Sequence, residues 1–217
     1  MHAFREVETA AYCPRKLYYR RRQPDEETPP DVRRRRELAF RYGRLLDDDA
    51  ALREAPIAVT PTQFRSNLGC AKARLDAWPD LVDPEERDAF LSGRECRGIA
   101  HKLLPGPSLS LVFAGDPPEQ GVWEPQSVRL VAAAKALSWE RETPVERVYA
   151  EYPAHGVVRA VDLGTRRRAA YREAVRVADA VDGPPARVDS DAKCSPCEYR
   201  KQCGTRTRSL RSLRGGD

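Results

Sequence analysis

Apolar residues recur at steps of three and four through the middle of the chain. Thr60, Pro61 and Gln63 form a typical helix start, with a capping hydroxyl, a proline in the first turn and a glutamine three residues after the cap. The apolar stripe that follows consists of Phe64, Leu68, Ala71, Leu75 and Trp78. This pattern predicts one helix from residue 61 to about residue 78. Similar patterns predict helices over residues 31–46, 126–140 and 167–181, and a short helix that starts at Cys13 and Pro14.

Short apolar runs between these helices predict strands. They cover residues 55–59, 97–104, 108–113, 148–152 and 157–163, and the last two flank a turn as in a hairpin. Residues 79–93 are polar and acidic, which predicts a loop. The order of elements predicts an α/β (α+β) core with a small mixed sheet over residues 31–183. Residues 1–30 and 184–217 are expected to form a cap in which the two chain ends meet.

The composition suits a protein that folds in water. Hydrophobic residues make up 41% of the 217 residues, which is enough for a packed core. No apolar run is long enough to cross a bilayer, and the first residues lack the apolar segment of a signal peptide. A soluble, cytoplasmic protein without membrane contact is therefore expected.

Positive charge is concentrated in four stretches of the chain. The formal net charge is +5 and the sequence pI is about 9.0, although acidic runs are also present. The basic stretches lie at residues 15–22, 33–36, 166–168 and 200–214. Together they favour sequence-independent binding to the phosphate backbone of DNA, although a solvated helix face explains any one of them equally well.

Four of the six cysteines stand in the context of metal ligands. Cys194, Cys197 and Cys203 lie among proline and charged residues, and the C-x₂-C pair can place two thiolates on one side of a tight turn. Three ligands are too few for an iron–sulfur cluster or for tetrahedral zinc, so a fourth must come from elsewhere. Cys70 and Cys96 are isolated and are expected to be buried as small apolar residues. The residues alone leave iron, zinc and ordinary reduced cysteines open.

The segment from Tyr12 to Tyr19 reads Tyr-Cys-Pro-Arg-Lys-Leu-Tyr-Tyr. Together with the C-x₂-C-x₅-C motif far downstream, it resembles the CRISPR-associated RecB-like exonucleases of the Cas-four type. The resemblance implies a PD-(D/E)xK nuclease core and a 4Fe–4S cluster that joins the chain ends. The implied cluster ligands are Cys13, Cys194, Cys197 and Cys203. DNA and CRISPR-adaptation or repair proteins are the implied partners.

The nuclease core of that family needs acidic ligands for Mg²⁺ or Mn²⁺ and a lysine that helps the attacking water. The strand that should carry the (D/E)-x-K pair lies at residues 108–113 and has neither an acid nor a lysine. The family's aspartate position falls on His101, which is preferred over Asp76 because Asp76 is predicted to lie on a helix. Asp47 is the nearest polar replacement for the family's early histidine, and Gln126 matches its glutamine.

One motif position of four is retained, so the leading interpretation is a DNA-binding cluster protein with a degenerate nuclease centre. The second is an active Mg²⁺- or Mn²⁺-dependent 5′–3′ single-stranded DNA exonuclease, with Asp76, His101 or Glu95 as unusual ligands. Against it, His101 is more typical of a buried or partner-bound histidine, and Gln126 of a helix start. The third is a non-nucleolytic structural or redox cluster protein.

Overall fold

The computed structural model describes residues 1–23 and 27–204. The helices are α1 (Phe4–Tyr12), α2 (Pro14–Arg20), α3 (Pro30–Glu37), α4 (Tyr42–Asp47), α5 (Asp49–Glu54), α6 (Pro61–Arg74), α7 (Trp78–Val82), α8 (Glu124–Glu140), α9 (Thr165–Ala180) and α10 (Asp191–Cys194). The strands are β1 (His2–Ala3), β2 (Glu86–Ser92), β3 (Cys96–Leu104), β4 (Ser108–Val112), β5 (Arg147–Tyr152) and β6 (Val157–Asp162). Short 3₁₀ turns occupy Leu38–Phe40 and Pro153–His155.

The strands form one mixed sheet of six, in which β3 pairs with three others. β2 runs antiparallel along one edge of β3. The other edge of β3 is shared by two strands, because β1 pairs with residues 96 and 97 in parallel and β4 pairs antiparallel with residues 102–104. β5 continues the sheet parallel to β4, and β6 pairs antiparallel with β5. Within the described ranges, residues 98–101 of β3 thus lack a strand partner on this second edge.

Helices cover both faces of the sheet. α1, α8 and α9 pack together on one face and form the larger apolar core with it. Helices α4 to α7 cover the other face with a second core. Strand β5 serves both cores, since Val148, Ala150 and Tyr152 belong to the first and Tyr149 to the second. The architecture is therefore a sheet between two helical layers.

The predictions for the elements between residues 97 and 181 are confirmed. The strands at residues 97–104 and 108–113, the hairpin, and the helices at residues 126–140 and 167–181 all lie within two residues of their predicted bounds. The mixed α/β class with a small mixed sheet is also confirmed. These elements have strong apolar patterns because each buries at least one face against the larger core.

Two predictions for the first half are wrong. Residues 55–59 form no strand, because the Ile57 N–H bonds to Ala55 O at 2.7 Å and the Ala58 N–H bonds to Ala154 O at 2.7 Å outside any ladder. Residues 79–93 are not a loop, since they contain most of α7 and all of β2. In β2 the buried residues are Ala89 and Leu91, a period-2 signal too short to stand out among its charged neighbours.

Of the three helices predicted in the first half, the short one at Cys13 and Pro14 is confirmed as α2, and the other two are interrupted. The helix predicted at residues 31–46 becomes α3, a 3₁₀ turn and α4, because Arg41 leaves the helical region with φ −129° and ψ 12°. The helix predicted at residues 61–78 ends at Arg74, where Leu75 turns extended. Leu75 and Trp78 still pack in the second core. They therefore keep the apolar spacing that is typical of a continuous helix, although both lie beyond the end of α6. Asp76 therefore lies in an exposed turn, and its predicted position on a helix is wrong.

Candidate functional site

The two ends of the chain lie against each other. We call the contacting segments, residues 12–23 and 185–204, the terminal cap. The Tyr12 hydroxyl donates to Lys193 O at 3.4 Å, and Lys193 Nζ donates back to Tyr12 O at 3.0 Å. The rings of Tyr19 and Tyr199 stack with their centroids 5.6 Å apart. Segments separated by most of the chain are thus joined by paired polar and aromatic contacts.

Four cysteines line one cavity inside the terminal cap. Cys13 immediately precedes α2, where the proline of the first turn fixes the backbone. Cys194 ends α10, and the Cys197 N–H donates to Cys194 O at 3.2 Å across a tight turn. Cys203 follows six residues later and lines the same cavity. The cysteine of one chain end and the three of the other are therefore brought to one place.

The chemistry of this cavity suits a thiolate-bound centre. Thiolates are the ligands that iron–sulfur clusters require and that zinc also accepts. Five cationic side chains line the cavity as well: Arg15, Lys16, Arg187, Lys193 and Arg200. Burial and the nearby Cys197, Cys13 and Cys194 raise the pKa of Tyr12. In residues 1–23 and 27–204, no three His, Cys, Asp or Glu side chains converge on a single metal-ion position.

The two remaining cysteines lie outside this cavity. Cys96 is buried as predicted, with its Sγ 3.3 Å from the Tyr171 hydroxyl, and burial raises its pKa to about 11. Cys70 is exposed, so its predicted burial is wrong. Cys70 lies on the outer side of α6, whose buried residues are Phe64, Leu68 and Ala71.

A second cavity, of about 410 Å³, opens where residues 98–101 of β3 lack a strand partner. β1 and β4 both run toward this interruption, so the carboxyl ends of both strands meet there. A Cβ on Gly98 would lie only 2.6 Å from the Phe4 ring, so glycine allows α1 to begin beside the interruption. We call this space the arginine cavity. Its lining residues are Ala3, Phe4, Arg5, Arg36, Asp88, Gly98, Ile99, His101 and Arg129.

Three helices each bring one arginine to this cavity: Arg5 from α1, Arg36 from α3 and Arg129 from α8. The Arg129 side chain is only 8% exposed, and its Nη1 lies 3.4 Å from Glu8 Oε2. The Nε atoms of Arg36 and Arg129 are buried without a hydrogen-bond partner in the described part of the chain. Buried donors of this kind are costly when left unpaired.

Positive charge accumulates in the arginine cavity. Burial, followed by repulsion from Arg129 and Arg36, lowers the pKa of Arg5 to about 10, and Glu8 opposes this shift. Burial and Arg129 also lower the pKa of Arg36, against Asp88 and Glu8. Three guanidinium groups thus line the cavity, with the carboxylates of Asp88 and Glu8 close to them.

His101 lies at the floor of the cavity and is buried. Its Nδ1 accepts a hydrogen bond from the Val112 N–H at 3.0 Å, so the neutral ring carries its proton on Nε2. Burial and the surrounding cations, Arg129 first among them, lower the pKa of His101 well below 6.5. Binding a metal through Nδ1 would require the ring to give up its contact with β4. This arrangement fits the alternative of a buried structural histidine.

The other predicted nuclease residues are dispersed. Asp47 and Asp76 are exposed and do not line the arginine cavity in the described chain. Gln126 is half-buried at the start of α8 and accepts a hydrogen bond from the Tyr152 hydroxyl. Glu95 accepts one from the Tyr171 hydroxyl at 3.1 Å. His101 therefore shares its cavity with three arginines and one carboxylate, Asp88, whereas a divalent ion needs several oxygen ligands.

An acid–lysine pair does exist on the opposite face of the sheet, but both groups are fully buried. Lys102 Nζ donates to Glu151 Oε2 at 2.8 Å and to the backbone oxygens of Ala39 and Leu81 at 2.7 and 2.6 Å. Glu151 Oε1 accepts from the Ser110 hydroxyl at 2.6 Å. Both side chains are 0% exposed, so this pair cannot reach a nucleic acid.

The basic stretches differ in what they contact. In residues 15–22, Arg21 donates to Glu6 and to Ala178 O, and so links the N-terminal segment to α9. Arg167 and Arg168 donate to backbone oxygens at the end of β6 and just after it. Arg33, Arg34 and Arg35 of α3 are exposed, next to the Arg36 that lines the arginine cavity, although Arg34 pairs with Asp31 and Arg35 donates to Ala114 O at 3.4 Å. Most of the basic tail, residues 205–214, lies outside the described residues.

The sequence reasoning missed the arginine cavity. The charge pattern predicts that residues 33–36 form one solvated or DNA-binding stretch. It assigns no role to Arg5 or Arg129. One signal was available: Arg129 lies three residues after Gln126, on a helix whose neighbouring positions are apolar. A charged residue on a buried helical face marks a position with a special role.

The sequence matches no protein-family model, and a search of the curated proteins finds no match. Among the described residues, no helix is long and apolar enough to cross a membrane.

Proposed function

We propose that the protein binds DNA without cleaving it and carries a 4Fe–4S cluster held by Cys13, Cys194, Cys197 and Cys203. The observation that carries this proposal is the single cavity lined by these four cysteines, which come from opposite ends of the chain. It supports the ligand set that the resemblance to RecB-like exonucleases implies.

In this proposal the cluster has a structural role. When bound, it supplies four metal–thiolate bonds that close a loop of nearly the whole chain. The surrounding side chains support the bound cluster. Arg15 and Lys193 offset the negative charge of the thiolates, and the stacked Tyr19 and Tyr199 rings hold the two segments in place.

The absence of cleavage is supported by the charge of the arginine cavity. The resemblance to RecB-like exonucleases aligns His101 with a metal-binding aspartate, and three guanidinium groups line the same cavity as His101. These cations repel a divalent metal ion and attract phosphate. The exposed arginines of α3 extend this positive surface outward and support sequence-independent DNA binding.

The decisive experiment is anaerobic purification with iron, sulfide and zinc quantified, followed by DNA-binding and cleavage assays. The protein should be brown, and its visible absorbance should bleach on reduction. Its affinity for DNA should fall with salt, with a log–log slope of roughly −0.7 to −0.9 per phosphate neutralised. A colourless zinc-loaded protein would refute the cluster, salt-independent affinity would refute the DNA surface, and robust Mn²⁺-dependent cleavage would restore the exonuclease interpretation.

A pair of cysteine variants tests the structural role. Cys197→Ala should lower the melting temperature and solubility, because one cluster ligand is lost. Cys70→Ala should change little, because Cys70 is exposed outside the cavity. Equal effects of the two substitutions would show that the ligand assignment is incorrect.

A further inference from the structure

We propose that the arginine cavity is a binding site for a phosphate group, and that this group is the terminal phosphate of a nucleic-acid strand. The proposal deepens the proposed DNA binding and rests on it. Its basis is the geometry of Arg5, Arg36 and Arg129 around a cavity whose floor is His101.

The donors in the cavity match a phosphate. Guanidinium groups are planar forks that bind phosphate oxygens through paired hydrogen bonds. The Nε atoms of Arg36 and Arg129 are buried and unpartnered in the described chain, and Arg129 is almost entirely enclosed. The neutral His101 ring adds an Nε2 proton, because its Nδ1 accepts from the Val112 N–H. A bound phosphate would give partners to these donors and offset their mutual repulsion.

The carboxylates nearby do not satisfy these cations. Glu8 meets one nitrogen of Arg129 at the long distance of 3.4 Å. Asp88 is exposed, and its backbone adopts a φ of 51°, in the left-handed region that few residues other than glycine occupy. Asp88 lies opposite His101, at the one position where the β2–β3 pairing is interrupted. The strained backbone thus lies beside the cavity, which is common at binding sites.

The surroundings favour a nucleic-acid end over free phosphate. Ile99 lines the cavity and is 39% exposed, and its cross-strand neighbour Phe90 is 60% exposed. Directly paired residues of antiparallel strands present their side chains on the same face. An exposed aromatic ring next to a phosphate site offers a surface for base stacking. The exposed Arg33, Arg34 and Arg35 supply positive charge for the following phosphates.

The test compares oligonucleotides of one sequence that carry a 5′-phosphate, a 3′-phosphate or only hydroxyl ends, all at one salt concentration. A phosphorylated end should bind about tenfold more tightly or better than a hydroxyl end. Arg36→Gln should abolish this preference and retain binding to the hydroxyl-ended strand. Arg35→Gln, on the same helix but exposed, should keep the preference.

Further measurements distinguish a strand end from free phosphate, and a failure of the strand-end proposal from a failure of the proposed function. Arg129→Gln provides a second test at a buried position, and circular dichroism should confirm that each variant is folded. Inorganic phosphate should compete for the end preference of the wild type. Equal binding of all three ends would overturn the strand-end proposal, even if inorganic phosphate still raised the melting temperature. No binding to any strand would instead refute the proposed function.

Discussion

Two groups of charged side chains occupy opposite faces of β3, and they differ in how completely their charges are matched. Lys102 points into the second core, where Glu151 and two backbone oxygens accept its hydrogen bonds. The adjacent residue, His101, points to the other face and lines a cavity with three arginines, of which Arg36 and Arg129 have a buried Nε without a partner in the described chain. The first group is closed to solvent, and the second opens into a cavity.

The difference separates structural charge from charge available for binding. A buried ion pair with saturated hydrogen bonds has nothing left to offer a ligand, and its removal chiefly affects stability. A cluster of like charges with open donors is unfavourable until an anion arrives, so its removal chiefly affects binding. Lys102 and Glu151 are both 0% exposed, so their charges belong to the structural kind.

Breaking the enclosed pair should have the largest effect. Lys102→Met leaves the Glu151 charge buried without its partner, which should lower the free energy of unfolding by roughly 3–5 kcal/mol. Chemical denaturation measures this loss. A loss below about 1 kcal/mol would mean that the pair is not desolvated.

Two controls sharpen that measurement. Lys72→Met, on the exposed side of α6, should change the free energy of unfolding by less than about 0.5 kcal/mol. The double variant Lys102→Met with Glu151→Leu removes both charges and should recover most of the stability, since apolar replacement of a buried pair is often neutral.

Acidification should have an effect of intermediate size on the free energy of unfolding, through His101 in the arginine cavity. The folded protein holds His101 neutral, because burial and the neighbouring Arg129, Arg36, Arg5 and Lys102 lower its pKa well below 6.5. The unfolded chain binds a proton at His101 near pH 6.5, so stability should fall as the pH drops below that value. Protonation of His101 in the unfolded chain should lower the free energy of unfolding by up to about 1.4 kcal/mol for each unit by which the pH falls.

The measurement for His101 is the free energy of unfolding between pH 7 and pH 5. In His101→Asn, the side-chain Oδ1 replaces Nδ1 as the acceptor for the Val112 N–H, and the variant should lose less stability than the wild type over this range. An identical pH dependence in both proteins would contradict the assigned neutral state.

Removing one cavity arginine should have the smallest effect on stability. Arg36→Gln relieves repulsion among like charges, so the free energy of unfolding should stay within about 0.5 kcal/mol of the wild type or rise. Added phosphate should then stabilise the variant less than the wild type, because a ligand stabilises only the form that binds it. Thermal melts with and without phosphate check both statements, and a marked loss of stability in phosphate-free buffer would show that Arg36 is structural.

The sequence predicts the fold best where one local pattern decides the structure. β3, β4, the hairpin and α8 have apolar patterns that their burial explains, and all were predicted closely. β2 and the break after α6 were missed because tertiary contacts decide them. β2 is held by its pairing along β3, and Leu75 packs into the second core from outside a helix.

The candidate site shows the same limit. The C-x₂-C spacing and Cys13-Pro14 could be recognised as motifs, and the structure brings those cysteines to one cavity. The arginine cavity could not be predicted, because Arg5, Arg36 and Arg129 come from three helices and share no spacing. Their common feature is the interruption along β3, which depends on the pairing of β1 and β4.

The terminal cap imposes an order on events during synthesis. Tyr12 cannot meet Lys193, nor Tyr19 meet Tyr199, until the ribosome has made almost all of the intervening chain. At about 5–20 residues per second, this interval lasts roughly 10–40 s. During this interval Cys13 lacks the other three cysteines of its cavity. Any group that binds all four cysteines can therefore be held by them only after Cys203 has been synthesised.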